Sequence, residues 1–388
     1  MGESDAPFAE LLALKRLQRS SLRLSTKNSQ PFAMRALRDR LSSRDNISSD
    51  VHASGNFENM TSWNECIATK RSSSELADFI VTHPLPARYR IQLWRTVVFT
   101  RPSRPSPELE QALSHARHEA SMDQLTKAYK VITMDIHRTP WIVGDAEFNS
   151  LRCVLTAFAM RHPGIGYCQG MNLILAIPVI VGFSDDELLE FLEETVCLGR
   201  RGVLQCCSGF EDLTVFRMFV TETETLLVRN FPTLWHTLLN AAVDLTLVAF
   251  DPFLTLFASR LPLHAVLRVW DFCLFTHIGS TPSPLPGVSF AVVSCLIAVL
   301  KHCLVPMADQ LSDGLLIAAF HRKLERLTDS ELDIIIATAF DMKDVVFEGL
   351  QVIRKEKASY ESDSDTDIES AFTDISEYTV TSTEPRHD

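Results

Sequence analysis

The sequence predicts an all-α protein, and three observations predict it. Apolar residues through the middle of the chain recur at three- and four-residue spacing, the period of one helix face. Capping residues and prolines punctuate those stretches where helices start and stop. Alternating runs bounded by Asn-Gly or Asp-Gly turns, the mark of hairpins, are not found. The chain has 388 residues, 46% of them hydrophobic, enough to bury a sizeable core. The expected layout is a leader over residues 1–77, one large helical domain over 78–345, and an extension over 346–388.

Taken in order, the leader begins with a short periodic piece. Across residues 10–24, Leu11, Leu14, Leu17, Leu22 and Leu24 alternate with Lys15, Arg16, Arg19 and Arg23. That pattern fits a basic amphipathic helix for a partner or an anionic membrane surface, and equally a locally helical arm in a disordered leader. Residues 42–76 are rich in Ser, Asn and charge and read as linker. In the segment 85–94, Pro86 suits the first turn of a helix, and Arg90 and Trp94 then share a face and can stack.

Further along, Pro140 disfavours helix at Thr139, so Arg138 is expected at a helix end or on a loop. Phe148, Leu151, Val154, Leu155 and Phe158 form one helix face. Between residues 163 and 172, three glycines and a proline impose a tight turn. Ser184 and Glu187 make a capping box ahead of Leu188, Leu189, Phe191, Leu192 and Val196. Leu213, Phe216, Phe219 and Val220 give another stripe, ended near Pro232. Apolar helices are expected over 288–304 and 309–324. Residues 358–388, dense in Ser, Thr, Asp and Glu, are expected to stay disordered as an acidic tail. Ser362 and Ser364 each have an acid three residues on, which suits acidophilic phosphorylation; a merely solvating tail has the same composition.

Composition narrows the function. A net charge of −12 argues against nucleic-acid binding, which needs a basic face. Nine cysteines, an odd count without zinc-type spacing, fit a reducing cytosolic setting. The opening residues lack the apolar core of a secretory signal, and Ala6 breaks the myristoylation pattern after Gly2. The longest apolar stretches fall short of the roughly 20 residues of a membrane span and read as core helices.

Two of these segments, with the Arg90–Trp94 pair, carry candidate chemistry. Asp135 and Arg138 stand three apart, close enough for the carboxylate to hold the guanidinium; a surface ion pair has the same spacing. Gln169 lies in the Gly-rich turn, where its amide can be presented to a ligand; a structural helix–helix connection uses the same residues. Cys168 with His137 or His162 would make a cysteine hydrolase, but no third orienting group stands at recognisable spacing.

Together these segments resemble the TBC domain of Rab GTPase-activating proteins. Residues 85–94 match aliphatic-Pro-x-x-x-Arg-x-x-x-Trp. Residues 132–138 match Ile-x-x-Asp-x-x-Arg. Gly166-Tyr167-Cys168-Gln169-Gly170-Met171-Asn172 matches the Tyr-x-Gln segment, and Phe253-Leu254-Thr255-Leu256-Phe257 with Leu267-Arg268-Val269-Trp270-Asp271 resembles the family's C-terminal half. The motifs stand in the family's order. The chain departs from the pattern at Ile91, at Pro252 and in a long stretch over 276–286, all away from the candidate residues.

The resemblance implies a domain of two helical subdomains, with Arg138 as arginine finger and Gln169 as glutamine finger. Asp135 and Tyr167 match residues that shape and hold these fingers, and Arg90 and Trp94 match a structural pair near the same groove. The implied partner is a Rab-type small GTPase in its GTP-bound state, which itself carries GTP and Mg²⁺, so no cofactor is expected here. The implied setting is vesicle trafficking, in the cytoplasm and at the periphery of endomembranes. The other member of the same class is a TBC-like scaffold that binds the GTPase without accelerating hydrolysis.

Overall fold

The computed structural model describes residues 63–67, 73–99, 107–119, 127–193, 214–277, 290–311 and 313–376. All regular structure among the described residues is helical. A first set of helices comprises α1 (Ser73–Thr82), α2 (Ala87–Val98), α3 (Pro107–Glu119), α4 (Lys127–Ile136), α5 (Asp145–Arg161), α6 (Met171–Val181) and α7 (Asp185–Phe191). A second set comprises α8 (Thr214–Asn230), α9 (Pro232–Asn240), α10 (Leu245–Thr255), α11 (Leu263–His277), α12 (Phe290–Val299), α13 (Val305–Ala308), α14 (Asp313–Leu324) and α15 (Asp329–Ser376).

Local chemistry accounts for most boundaries. Proline at the first or second position opens α9. The expected capping box is present at α7: Ser184 Oγ accepts from the Glu187 backbone N–H while Glu187 accepts from that of Ser184. Asp244 caps α10 by accepting from the Thr246 N–H at 2.8 Å. The expected helix over 288–304 is described from Phe290 and changes to π-helical geometry over Leu300–Leu304, just ahead of Pro306, which has no N–H for the preceding turn. The helix expected from 309 starts at Asp313.

Helices α3, α4, α6 and α7 pack around α5, while α8 and α12 pack on α15. The two groups meet where α2 touches α11 and α6 touches α10, and α1 bridges by lying on α11 and α15. One continuous apolar cluster runs through both groups, with Trp94, Phe158, Phe191, Trp270 and Phe320 among its fully buried members. Ile91, one of the departures noted above, lies under α6: a Cβ placed on Gly182 would stand 3.3 Å from its Cδ1. Pro252 is buried inside α10.

At the junction of the two groups sits a wholly buried carboxylate, Asp271 on α11. Arg90 and Trp94 do not stack as their spacing allows; they converge on Asp271 instead. Arg90 Nε lies 3.1 Å from Oδ1 and a terminal nitrogen 3.0 Å from Oδ2, while the Trp94 indole donates to Oδ1 at 2.8 Å. Arg90 also donates to the Leu85 carbonyl at 2.6 Å. Burial pushes the Asp271 carboxyl up, against the pull of the Arg90 guanidinium. One turn earlier, Arg268 donates to the Ile80 and Val81 carbonyls in the last turn of α1, where a cation complements the helix dipole.

The packed unit runs past the boundaries expected at residues 78 and 345. Trp63 is fully buried and its indole donates to the Pro84 carbonyl at 3.0 Å. Val346, Leu350 and Ile353 are buried on α15, and Arg354 pairs with Glu222 of α8 at 2.9 and 3.0 Å inside the interface. The acidic tail is also corrected: α15 stays helical to Ser376 rather than losing order at 358. A helix already fixed by packing adds residues without repeating nucleation, a cooperativity that composition does not register. The basic segment 10–24, Val196, Leu213, and residues 278–289 and 377–388 lie outside the described residues.

Two outcomes follow for stability. Asp271→Ala strands a buried guanidinium and is expected to destabilise by about 3–5 kcal/mol, read as a collapse of the urea midpoint. At the α14 end, burial and the Arg260 guanidinium hold the His321 imidazole down at about 4, from an ordinary 6.5. Between those values the unfolded chain binds a proton that the folded chain refuses, so stability is full above pH 6.5 and falls as pH drops toward 4. Denaturation midpoints across that range are expected to decline in the wild type and to decline less in His321→Gln.

Candidate functional site

Helix α4 ends at Ile136, and the chain turns sharply rather than continuing toward Pro140. The Arg138 N–H donates to the Asp135 carbonyl and that of Thr139 to the Ile136 carbonyl, both at 3.1 Å. This turn places Arg138 at the edge of the domain, its side chain 45% exposed, while Asp135 one turn back is buried, its side chain only 5% exposed. A terminal Arg138 nitrogen donates to Asp135 Oδ1.

The second element is the loop between α5 and α6. The Gly166 N–H closes back on the His162 carbonyl at 2.7 Å, and Gly166 takes φ +63. Gly170 takes φ +109 as the N-cap of α6, a conformation that would strain any other residue. Gln169 stands between these glycines and is exposed. Tyr167 fixes the loop: its hydroxyl donates to Asp135 Oδ2 at 2.8 Å. Burial, together with the neighbouring Asp135 carboxylate, pushes the phenol far above its ordinary range, so it remains a donor.

Asp135 therefore binds Arg138 through one oxygen and Tyr167 through the other. Asn172, on the first turn of α6 and 4% exposed, completes the frame. Its Nδ2 donates to Thr139 Oγ1 at 2.8 Å and lies 3.4 Å from the Asp135 carbonyl; its Oδ1 accepts from the Gly170 N–H at 3.3 Å and lies 3.1 Å from the Tyr167 hydroxyl. Sequence reasoning did not single out Asn172 or Thr139. The available signal was a polar residue opening an otherwise unbroken apolar run, 171–183.

Of the residues singled out in the sequence, the structure joins Asp135, Arg138 and Tyr167 by hydrogen bonds, and Gln169 stands exposed two residues beyond Tyr167 on the same loop. Arg90 and Trp94 belong to the Asp271 centre, though α2, which carries them, packs on α6. The cysteine–histidine alternative finds each member with a partner of its own. The Cys168 thiol lies 3.6 Å from the Ile165 carbonyl, His162 Nε2 is 2.8 Å from Glu193 Oε1, and His137 packs on Phe148. Among the described residues, no group of three or more His, Cys, Asp and Glu could hold a metal ion. The Arg138 guanidinium, held by the buried Asp135 carboxylate, and the exposed Gln169, on the loop that Tyr167 ties to the same carboxylate, can address an anionic group on another molecule.

The fold and sequence have counterparts among known proteins. The family model described as the Rab-GTPase-TBC domain matches residues 87–304. Mouse TBC1 domain family member 2A is 31% identical over 198 residues, covering 49% of this chain and 21% of that protein. Rat small G protein signaling modulator 3 is 32% identical over 230 residues, covering 55% and 28% respectively. The chain thus spans less than a third of the length of these curated relatives. Among solved structures, the Chlamydomonas flagellar RabGAP TBC domain superposes with a TM-score of 0.55 at 18% identity, over 77% of this chain and 95% of that one. The Ypt/Rab-GAP domain of Gyp1p superposes with 0.52 at 17% identity, over 71% and 93%.

The frame is expected to be sensitive at its buried amide. Asn172→Ala leaves the Gly170 N–H without its acceptor and Thr139 Oγ1 with only its bond to the Asp135 carbonyl, and should destabilise by about 1–3 kcal/mol in urea unfolding. Asn172→Asp, which keeps an acceptor but loses the donor and adds a charge beside Asp135, should be no better tolerated.

Proposed function

The chain belongs to the Rab-GTPase-TBC domain family, and from that premise we propose that it is a GTPase-activating protein for a Rab-type small GTPase in its GTP-bound state. The observation that carries the reading is the shared anchor: Arg138 and the Gln169 loop are both held by Asp135, and both side chains remain open to an incoming partner.

In phosphoryl transfer, negative charge grows on oxygens around the γ-phosphate as the bond to the leaving group loosens. The Arg138 guanidinium, brought in from outside, offsets that charge where water is excluded. Its planar fork, which lysine lacks, suits two oxygens at once. Gln169 accepts from the attacking water through Oε1 and donates through Nε2 to phosphate or backbone, so it aligns the water without removing its proton. Asp135 orients the guanidinium, and Tyr167 ties Asp135 to the glutamine loop, so the two fingers keep their spacing before the partner arrives. The GTPase brings the nucleotide and Mg²⁺. Such an activity belongs to vesicle trafficking, with the protein acting in the cytoplasm and at the periphery of endomembranes.

An arginine finger is worth roughly 10³–10⁵ in rate. With GTP hydrolysis followed across a panel of Rabs, the wild type is expected to accelerate at least one. Arg138→Ala should lose about three orders of magnitude in kcat with its helical circular dichroism retained, since the buried Asp135 keeps the Tyr167 hydroxyl as a donor; Arg138→Lys should not restore the rate. Near-normal stimulation by Arg138→Ala would falsify the assignment. For Gln169, a Rab whose own catalytic glutamine has been replaced should still respond to the wild type and not to Gln169→Ala. Binding of a GTP-loaded Rab with no change in its hydrolysis would make the protein an interaction scaffold instead.

A further inference from the structure

The chain around Arg138 carries exposed apolar side chains that the finger chemistry does not use. Met134, on the last turn of α4, is 64% exposed, and Val143, on the connection to α5, is 49% exposed. They stand four residues before and five residues after Arg138. Between them, Trp141 holds φ +68, a left-handed conformation that a bulky residue adopts only when its surroundings dictate it. Trp141 packs against the core, and Ile142 beside it is 6% exposed. The connection is therefore pinned from inside, and Val143 is turned outward from a fixed backbone.

Single exposed apolar residues are common and mean little. These two differ in where they stand. A guanidinium can reach a phosphate inside another protein only if the surface at its base is covered by that protein. Residues flanking Arg138 in the same turn and connection must then lose their water. Polar side chains there would have to exchange hydrogen bonds with the partner, whereas Met134 and Val143 gain from burial outright. The long, unbranched Met134 adapts to an uneven surface, and Val143 on its pinned backbone loses little freedom on binding.

Resting on the proposed function, we infer that Met134 and Val143 are an apolar seat for the nucleotide-carrying face of the GTP-loaded GTPase. The occupant is an apolar patch bordering the partner's phosphate site. The seat acts on affinity and partner choice, not on the chemical step: it is covered alike in the encounter complex and in the transition state.

The test measures KM and kcat separately for a responsive GTP-loaded Rab, together with direct binding. Met134→Glu and Val143→Glu are each expected to raise KM about tenfold, the scale of losing one buried apolar side chain, with kcat within about twofold. Leu315→Glu, an equally exposed apolar position on α14, should change neither. Arg138→Ala should do the reverse of the seat variants, lowering kcat while GTP-loaded Rab still binds. Unchanged KM and unchanged binding in both seat variants would overturn the inference, and so would an equal loss in Leu315→Glu. If the wild type binds GTP-loaded Rabs but accelerates none, the activating function fails, and the seat is then judged on binding alone: weaker binding by both seat variants upholds it. If the wild type neither binds nor accelerates any Rab, both fall.

Discussion

The Asp135 carboxylate is the interaction on which the candidate site depends. It is buried, and a buried carboxylate must be paired or hydrogen-bonded. Its two oxygens are taken by groups from different elements, the Arg138 guanidinium from its own turn and the Tyr167 hydroxyl from the α5–α6 loop. The same carboxylate thus sets the direction of one exposed side chain and the position of the loop that bears another. Asn172 and Thr139 fix the backbone on either side, so that the α4 turn and the start of α6 form one rigid piece. The frame holds the Arg138 guanidinium by one terminal nitrogen and fixes the loop that bears the exposed Gln169.

A second buried carboxylate, Asp271, does for the domain what Asp135 does for the site. It joins α2 to α11 through Arg90 and Trp94, and so joins the two groups of helices. Arg268, on the same helix, ties down the end of α1. The two carboxylates are linked through the scaffold. The helix that carries Arg90 packs on α6, and the first turn of α6 carries Asn172. This arrangement explains how residues remote from the fingers belong to the same family pattern. They hold the platform from which Arg138 and the Gln169 loop project.

On the proposed function, the surface around Arg138 and Gln169 divides the work. Charged and amide groups at its centre are suited to a transition state, in which charge moves and each hydrogen bond strengthens. Apolar groups at its edge are suited to adhesion, which is the same before and during the reaction. The glycines at 166 and 170 serve the centre, since their positive φ values present Gln169 without a bulky neighbour. The strained Trp141 serves the edge, because it fixes the connection that carries Val143.

The sequence by itself determined the helical class and several of the helix positions, and it pointed to Arg138 and Gln169 as candidate residues. These depend on local matters: apolar period, caps, prolines, glycines and short ordered motifs. The capping box at Ser184 and the turn before Pro140 were legible because each is settled within four residues. Tertiary structure decided what lies between distant residues. Arg90 and Trp94 look like a stacking pair along one helix, yet both are claimed by a carboxylate from a helix far down the chain. Asn172 reads as the start of a core helix, yet it stitches two loops together. The ends of the packed unit, Trp63 and Arg354, were missed because burial belongs to the assembled core and not to any local window. The helical course of α15 to Ser376 was missed because composition takes no account of a helix already nucleated by its neighbours. Local propensity names the parts; the pairing of buried charges across the fold decides which of them meet.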